Sequence, residues 1–145
     1  MYEYVVIRRE LRDSVEPVKV LTATDVVNYV VKNCQSREEM WKEMAWVLVL
    51  HGGRITGHYC LSVGGTKATG FDAKEVAKVA IDQLADAVIL VHNHPSGSCL
   101  PSQADIAATD SVRKALRLFD IDLLDHVVIG TDEHFSFAIE EKVKD

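Results

Sequence analysis

Six consecutive apolar residues, Ala45-Trp46-Val47-Leu48-Val49-Leu50, constrain any fold this chain can adopt. A strand with one wet face alternates apolar and polar side chains, whereas an unbroken apolar run suits a strand covered on both faces. Ala87-Val88-Ile89-Leu90-Val91 has the same character. The turn His51-Gly52-Gly53 follows the first run, and Ile55 to Val63 reads as the returning strand of a hairpin, ended by Gly64-Gly65. Asp72 to Leu84 is predicted helical. Asp72 can cap it, Glu75 has capping-box spacing, and Ala77, Ala80, Ile81 and Leu84 fall on one face. A second helix is predicted after Ser102, with Ala108, Val112, Ala115, Leu116 and Phe119 along one stripe. Thr24 is placed as the cap of a helix through Val26, Val27, Val30 and Val31, whose β-branched residues give it weak intrinsic propensity. Tyr2 to Arg8, Val127 to Ile129 and Phe135 to Ile139 read as strands, the last two around a Thr131-Asp132-Glu133 turn. Asn33 to Arg37 reads as a connection and Glu38 to Glu43 as a short helix or turn. The charged end, Glu140 to Asp145, is expected to fray. The fold class is therefore α/β, a mixed β-sheet flanked by helices. At 145 residues the chain fits one domain, with residues 1–40 as a strand-and-helix appendage to residues 41–145.

Charge narrows the partners. Sixteen Lys and Arg against 22 Asp and Glu leave a net charge of -6, a poor footprint for nucleic-acid binding. Arg8, Arg9 and Arg12, or Arg113, Lys114 and Arg117, are the nearest approach to a basic patch. No apolar run approaches the ~20 residues of a spanning helix, and MYEYVVIRRE lacks the features of a signal peptide. A cytoplasmic protein is expected. Cys34, Cys60 and Cys99 have no CxxC spacing, and an odd number of cysteines argues for reduced thiols.

Chemistry concentrates in Val91-His92-Asn93-His94-Pro95-Ser96-Gly97 and Pro101-Ser102-Gln103-Ala104-Asp105. Residues i and i+2 of a strand share a side, so His92 and His94 can converge on one cation. Asp105, in the first turn of the next helix, can complete a His-His-Asp set that leaves a fourth position for water. Three protein donors and one open position is the arrangement of catalytic zinc. Ser102-x-x-Asp105 also has capping-box spacing, and the two roles compete for the same carboxylate. Cys99 lies near enough to be considered as a donor, but the three residues suffice without it.

The combined pattern His-x-His-x(7)-Ser-x(2)-Asp resembles the signature of the JAB/JAMM (MPN-plus) metalloproteases, and more narrowly their RadC-like branch. The matching strings are HNHPSG at 92–97, PS at 101–102, the stretch from Asp105 to Thr109, LLDHVVIG at 123–130 and KEMAWVLVL at 42–50, together with the helix holding Lys74-Glu75-Val76. The likeness covers roughly residues 40–138, and the helix-hairpin-helix region often found ahead of such domains is not apparent. The resemblance implies a JAB/MPN-like, cytidine-deaminase-like fold over 41–145 and one Zn2+ per chain on His92, His94 and Asp105. It implies Glu43 as a general base, Ser102 as an oxyanion donor, and a protein or peptide substrate. Glu75 is the rival for the general base. Asp125-His126 is also family-like, either as support for the site or as a structural pair. His51, His58 and His134 have no donor partner nearby in sequence. A DNA-associated accessory role, suggested by the RadC label, and a metal- or partner-binding module without turnover are the alternatives. His92-Asn93-His94 does not make an HNH nuclease, whose residues come from separated positions. The zinc deaminases need H-x-E and P-C-x-x-C, which the segment lacks.

Overall fold

A computed structural model describes residues 1, 3, 16–63 and 71–145. The proposed strand Tyr2 to Arg8 and the Gly64-Gly65 turn lie outside the described residues, apart from Glu3. Seven described strands form one sheet in the order β1-β3-β2-β4-β5-β6-β7. In chain order the elements are β1 (Val18–Lys19), α1 (Ala23–Asn33), a 3-10 turn (Arg37–Glu39), β2 (Met44–His51), β3 (Arg54–Val63), α2 (Ala73–Asp82), β4 (Ala87–Asn93), α3 (Gln103–Arg117), β5 (Asp122–Ile129), β6 (Glu133–Ser136) and β7 (Glu141–Lys144). The sheet is mixed, because β4 runs antiparallel to β2 and parallel to β5.

The apolar strands are covered on both faces, and alternate side chains divide between the two layers. Trp46, Leu48, Leu50, Ile89 and Val91 pack with Val26, Val27, Tyr29 and Val30 of α1. Ala45, Val47, Val49, Val88 and Leu90 pack with Val76 and Ala80 of α2 and Val112 and Leu116 of α3. The β2–β3 hairpin turns on Gly52 and Gly53, at φ 56° and 72°. Two successive positive φ values suit a two-residue hairpin turn and favour glycine at both positions. No helix among the described residues is long and apolar enough to cross a membrane.

Several local expectations change. Thr22, not Thr24, caps α1, and its box closes with Asp25. Asp72 caps α2 through the Lys74 amide, one residue short of the Glu75 amide that a capping box uses. The buried stripe of α2 runs through Val76 and Ala80, while Ile81 and Leu84 are exposed. Leu84 follows the last helical turn at φ 49°, which rotates its side chain off the helical face. Phe119, beyond the end of α3, is exposed as well. Glu141–Lys144 does not fray but forms the edge strand β7 on β6. Asp145 secures it, taking Arg37 at 2.5 Å and His134 Nδ1 at 2.6 Å. Charged side chains at a sheet edge are compatible with a strand because they deter pairing with other chains.

Candidate metal centre

The site lies at the C-terminal end of β4. The face of β4 that carries Val88 and Leu90 toward α2 and α3 continues to His92, and α3 brings Asp105 to meet it. His92 Nε2 lies 3.0 Å from His94 Nε2. Asp105 Oδ1 is 3.3 Å from His92 Nε2, and Asp105 Oδ2 is 3.3 Å from His94 Nε2. Zinc bonds of about 2.0–2.1 Å at tetrahedral angles set their donor atoms ~3.3 Å apart, so the spacing fits such an ion. These three residues are the one group among the described residues with metal-ligand spacing.

The protonation pattern also fits a cation. His94 Nδ1 lies 2.9 Å from the Ser98 carbonyl, which can only accept, so Nδ1 carries the proton and Nε2 of the neutral ring presents a lone pair. That lone pair faces a second imidazole nitrogen and a carboxylate. Protonation of that Nε2 gives a hydrogen bond to Asp105, which raises the His94 pKa against the effect of burial, and the Ser98 carbonyl and the Asp105 and Glu43 charges add to the rise. Burial opposes ionisation of Asp105, yet the hydrogen bonds that protonated His92 and His94 would donate hold its carboxyl well below the usual carboxylate range. Both shifts describe a pocket that attracts positive charge.

Asp105 does not have to choose between its two roles. Its Oδ2 accepts the Ser102 amide at 2.8 Å while Ser102 Oγ accepts the Asp105 amide at 3.0 Å, a complete capping box. A carboxylate offers about four lone-pair directions on two oxygens, so one group can cap the helix and face the histidines. Capping the amides leaves the Ser102 hydroxyl proton available to a further acceptor.

Glu43 reaches the same end of the sheet. The paired stretch of β2 and β4 ends with Ala45 opposite His92, and Glu43 stands two residues before it, at the end of the sheet where β4 runs on to His94. The Glu43 charge acts on His94. Asn93 holds this segment in place, which the sequence reading did not foresee. Its Nδ2 donates to the carbonyls of Met40 and Lys42, each at 2.8 Å, and its Oδ1 accepts the Met44 amide at 2.8 Å. Buried Gln35 adds a second bond to the Lys42 carbonyl at 2.9 Å. A polar residue between two histidines in an otherwise buried strand was the available signal. Glu75, the rival acid, is in the first turn of α2.

The family-like pair divides its labour. His126 Nε2 sits 2.8 Å from His92 Nδ1, so it touches a candidate ligand directly. Asp125 accepts the His126 and Ala138 amides and the Ser136 hydroxyl, a structural role, and burial raises its pKa. Phe137 stacks on His126 at 4.7 Å, and Phe71 meets His126 and His92 edge-on at 4.8 and 5.6 Å. Cys99 is buried outside the donor set, and burial followed by its hydrogen bond with Glu133 pushes its thiol pKa up. The other histidines have partners elsewhere: His51 with Thr56, His58 with Tyr29 and His134 with Asp145.

The loop between the histidines and α3 is fastened to the end of β5. The His94 amide bonds the Ile129 carbonyl at 3.0 Å, and the Thr131 amide bonds the Gly97 carbonyl at 3.0 Å. A Cβ on Gly130 would stand 2.4 Å from the Gly97 carbonyl oxygen, so only glycine admits this approach without a backbone shift.

The sequence profile of the RadC-like JAB domain matches residues 20–143. The chain belongs to the RadC-like JAB domain family. The profile match starts upstream of the motif-bearing region, takes in all of α1 and begins just after β1. This RadC-like chain is 35% identical over 133 residues to a UPF0758 protein of Coprothermobacter proteolyticus, covering 90% of the chain and 57% of that protein. It is 40% identical over 120 residues to one from Chlorobaculum parvum, covering 82% and 53%. It is 45% identical over 101 residues to one from Porphyromonas gingivalis, covering 68% and 44%. The chain thus spans about half the length of the curated relatives it matches.

Histidine protonation predicts the pH behaviour of this RadC-like domain in chelator. Burial lowers the pKa of His58 and, much further, that of His126. Their stabilising contribution is present above the unfolded value of about 6.5 and is lost as pH falls from there through the folded values. His94 has the opposite sign, because its folded pKa is raised. Its contribution is full below about 6.5 and is lost as pH rises through the folded value. Melting temperatures measured across pH in chelator are therefore expected to peak near pH ~6.5. A steady rise from mildly acidic to alkaline pH would contradict the assignment for His94.

Proposed function

We propose that this domain is a zinc-dependent hydrolase of peptide or isopeptide bonds. The observation that carries the reading is the convergence of two imidazole Nε2 atoms and one carboxylate at tetrahedral spacing, with the Glu43 charge acting on His94. His92, His94 and Asp105 would hold one ion. Zinc bound this way keeps a fourth position for water, lowers the pKa of that water to about 7 and polarises a carbonyl. Glu43 takes the proton from the attacking water and returns it to the leaving amine. Ser102, exposed at the start of α3, donates its hydroxyl to the oxygen that gains charge as the carbonyl becomes tetrahedral. A protein or peptide is the proposed partner. The net charge of -6 gives no support to a nucleic-acid partner.

Native mass spectrometry after zinc reconstitution tests the first step, with one ion per chain expected. Hydrolysis of peptide and isopeptide substrates, abolished by chelator and restored by zinc, tests the second. A protein that takes up no zinc would sink the proposal. One that takes up zinc and cleaves nothing across a broad substrate panel would favour a binding module instead.

A further inference from the structure

We propose that Thr109 and His126 form a directional hydrogen-bond relay that holds His92 in the tautomer able to bind a metal. This rests on the reading of His92 as a ligand and assigns Thr109 and His126 as positioning residues. Thr109 Oγ1 lies 2.6 Å from the Asp105 carbonyl and 2.6 Å from His126 Nδ1. A hydroxyl has one proton, and a carbonyl can only accept. The Thr109 proton therefore goes to Asp105, and its oxygen accepts from His126 Nδ1–H. A neutral imidazole carries a single N–H, so Nε2 of His126 is left as an acceptor. The His92 Nδ1 atom 2.8 Å away must then be the donor. That leaves His92 Nε2 without a proton, facing His94 and Asp105.

Each direction follows from the one before it, and the origin is a backbone carbonyl that cannot reverse. The relay also closes on itself. It starts at the carbonyl of Asp105 and ends at a nitrogen 3.3 Å from the same residue's carboxylate. A relay running the other way would leave Thr109 Oγ1 and the Asp105 carbonyl oxygen 2.6 Å apart with no proton between them, and it would put an N–H on His92 Nε2 and block the metal. All of its members are buried: Asp105, Thr109, His92 and His126 are each at most 3% exposed, so water cannot easily take over a missing link.

Nitrogen-15 NMR of the zinc-free protein at neutral pH reads the tautomer directly. His92 is expected to be protonated at Nδ1. Thr109→Val removes the hydroxyl at nearly constant volume, and it is expected to move His92 toward Nε2 protonation. Chelator competition should then show zinc bound ~10- to 100-fold more weakly, the usual cost of losing support behind a metal ligand. Thr109→Ser keeps the hydroxyl and is expected to restore both the tautomer and the affinity. Wild-type His92 protonated at Nε2 would overturn the relay. So would a folded Thr109→Val protein with wild-type tautomer and zinc affinity. If the wild-type protein takes up no zinc, the metal reading fails, and the tautomer measurement alone then decides the relay.

Discussion

Asp105→Asn is expected to remove zinc binding while leaving the fold nearly intact. The amide oxygen of asparagine can still accept the Ser102 amide, and the Asp105 backbone amide still bonds Ser102 Oγ. The cap therefore survives, and the zinc-free protein should lose no more than about 1 kcal/mol, the usual scale of a capping contact. What disappears is the charge that faces two imidazoles at 3.3 Å. Zinc affinity should fall by more than ~100-fold, because support behind a ligand is already worth 10- to 100-fold. The His94 pKa should return toward its ordinary value, since its hydrogen bond with Asp105 is the leading cause of the rise. Chelator competition and histidine titration by NMR read both effects. Zinc affinity unchanged in the variant would remove Asp105 from the ligand set and leave it as a helix cap.

Glu43→Gln should have the complementary effect. Under the proposed chemistry it loses the proton acceptor but keeps the side-chain shape, and Asn93 and Gln35 still hold the backbone on either side. Hydrolysis is expected to fall by ~10²- to 10⁴-fold, the range for a positioned acid–base group, with zinc content unchanged. Turnover equal to wild type would rule out Glu43 as the base. Zinc lost from this variant would instead make Glu43 a ligand.

Much of the fold was legible because its strongest signals are local. The apolar runs of β2 and β4 could only be strands covered on both sides, and Gly52-Gly53 marked the hairpin. The spacing of His92, His94 and Asp105 is local too, so the sequence carried the candidate donors without help from the fold. The failures came where local and distant contacts disagree. Thr22 and Thr24 are equally plausible caps until the helix start is fixed by packing. Ile81 and Leu84 continue an apolar stripe on paper, but the helix ends at Asp82 and its capping turn moves Leu84 away. The charged tail reads as loose until Arg37, far off in sequence, and His134 of the neighbouring strand are seen to hold Asp145. Asn93, Thr109 and His126 were hardest to assign, because their significance lies wholly in partners from other elements. Thr109 is the clearest case: a threonine in mid-helix is unremarkable until β5 brings His126 to it.

The ligand positions span only residues 92–105, while the groups around them arrive from both neighbours of β4. Glu43 precedes β2 on one side, and His126 stands in β5 on the other. Under the proposed chemistry, holding the ion draws on β4, α3 and the His126 support from β5, whereas moving protons draws on the segment ahead of β2 as well. The residues proposed to hold the ion and the residue proposed to move protons thus depend on different strand pairings, and a substitution that loosens β2 from β4 is expected to cost turnover before it costs zinc.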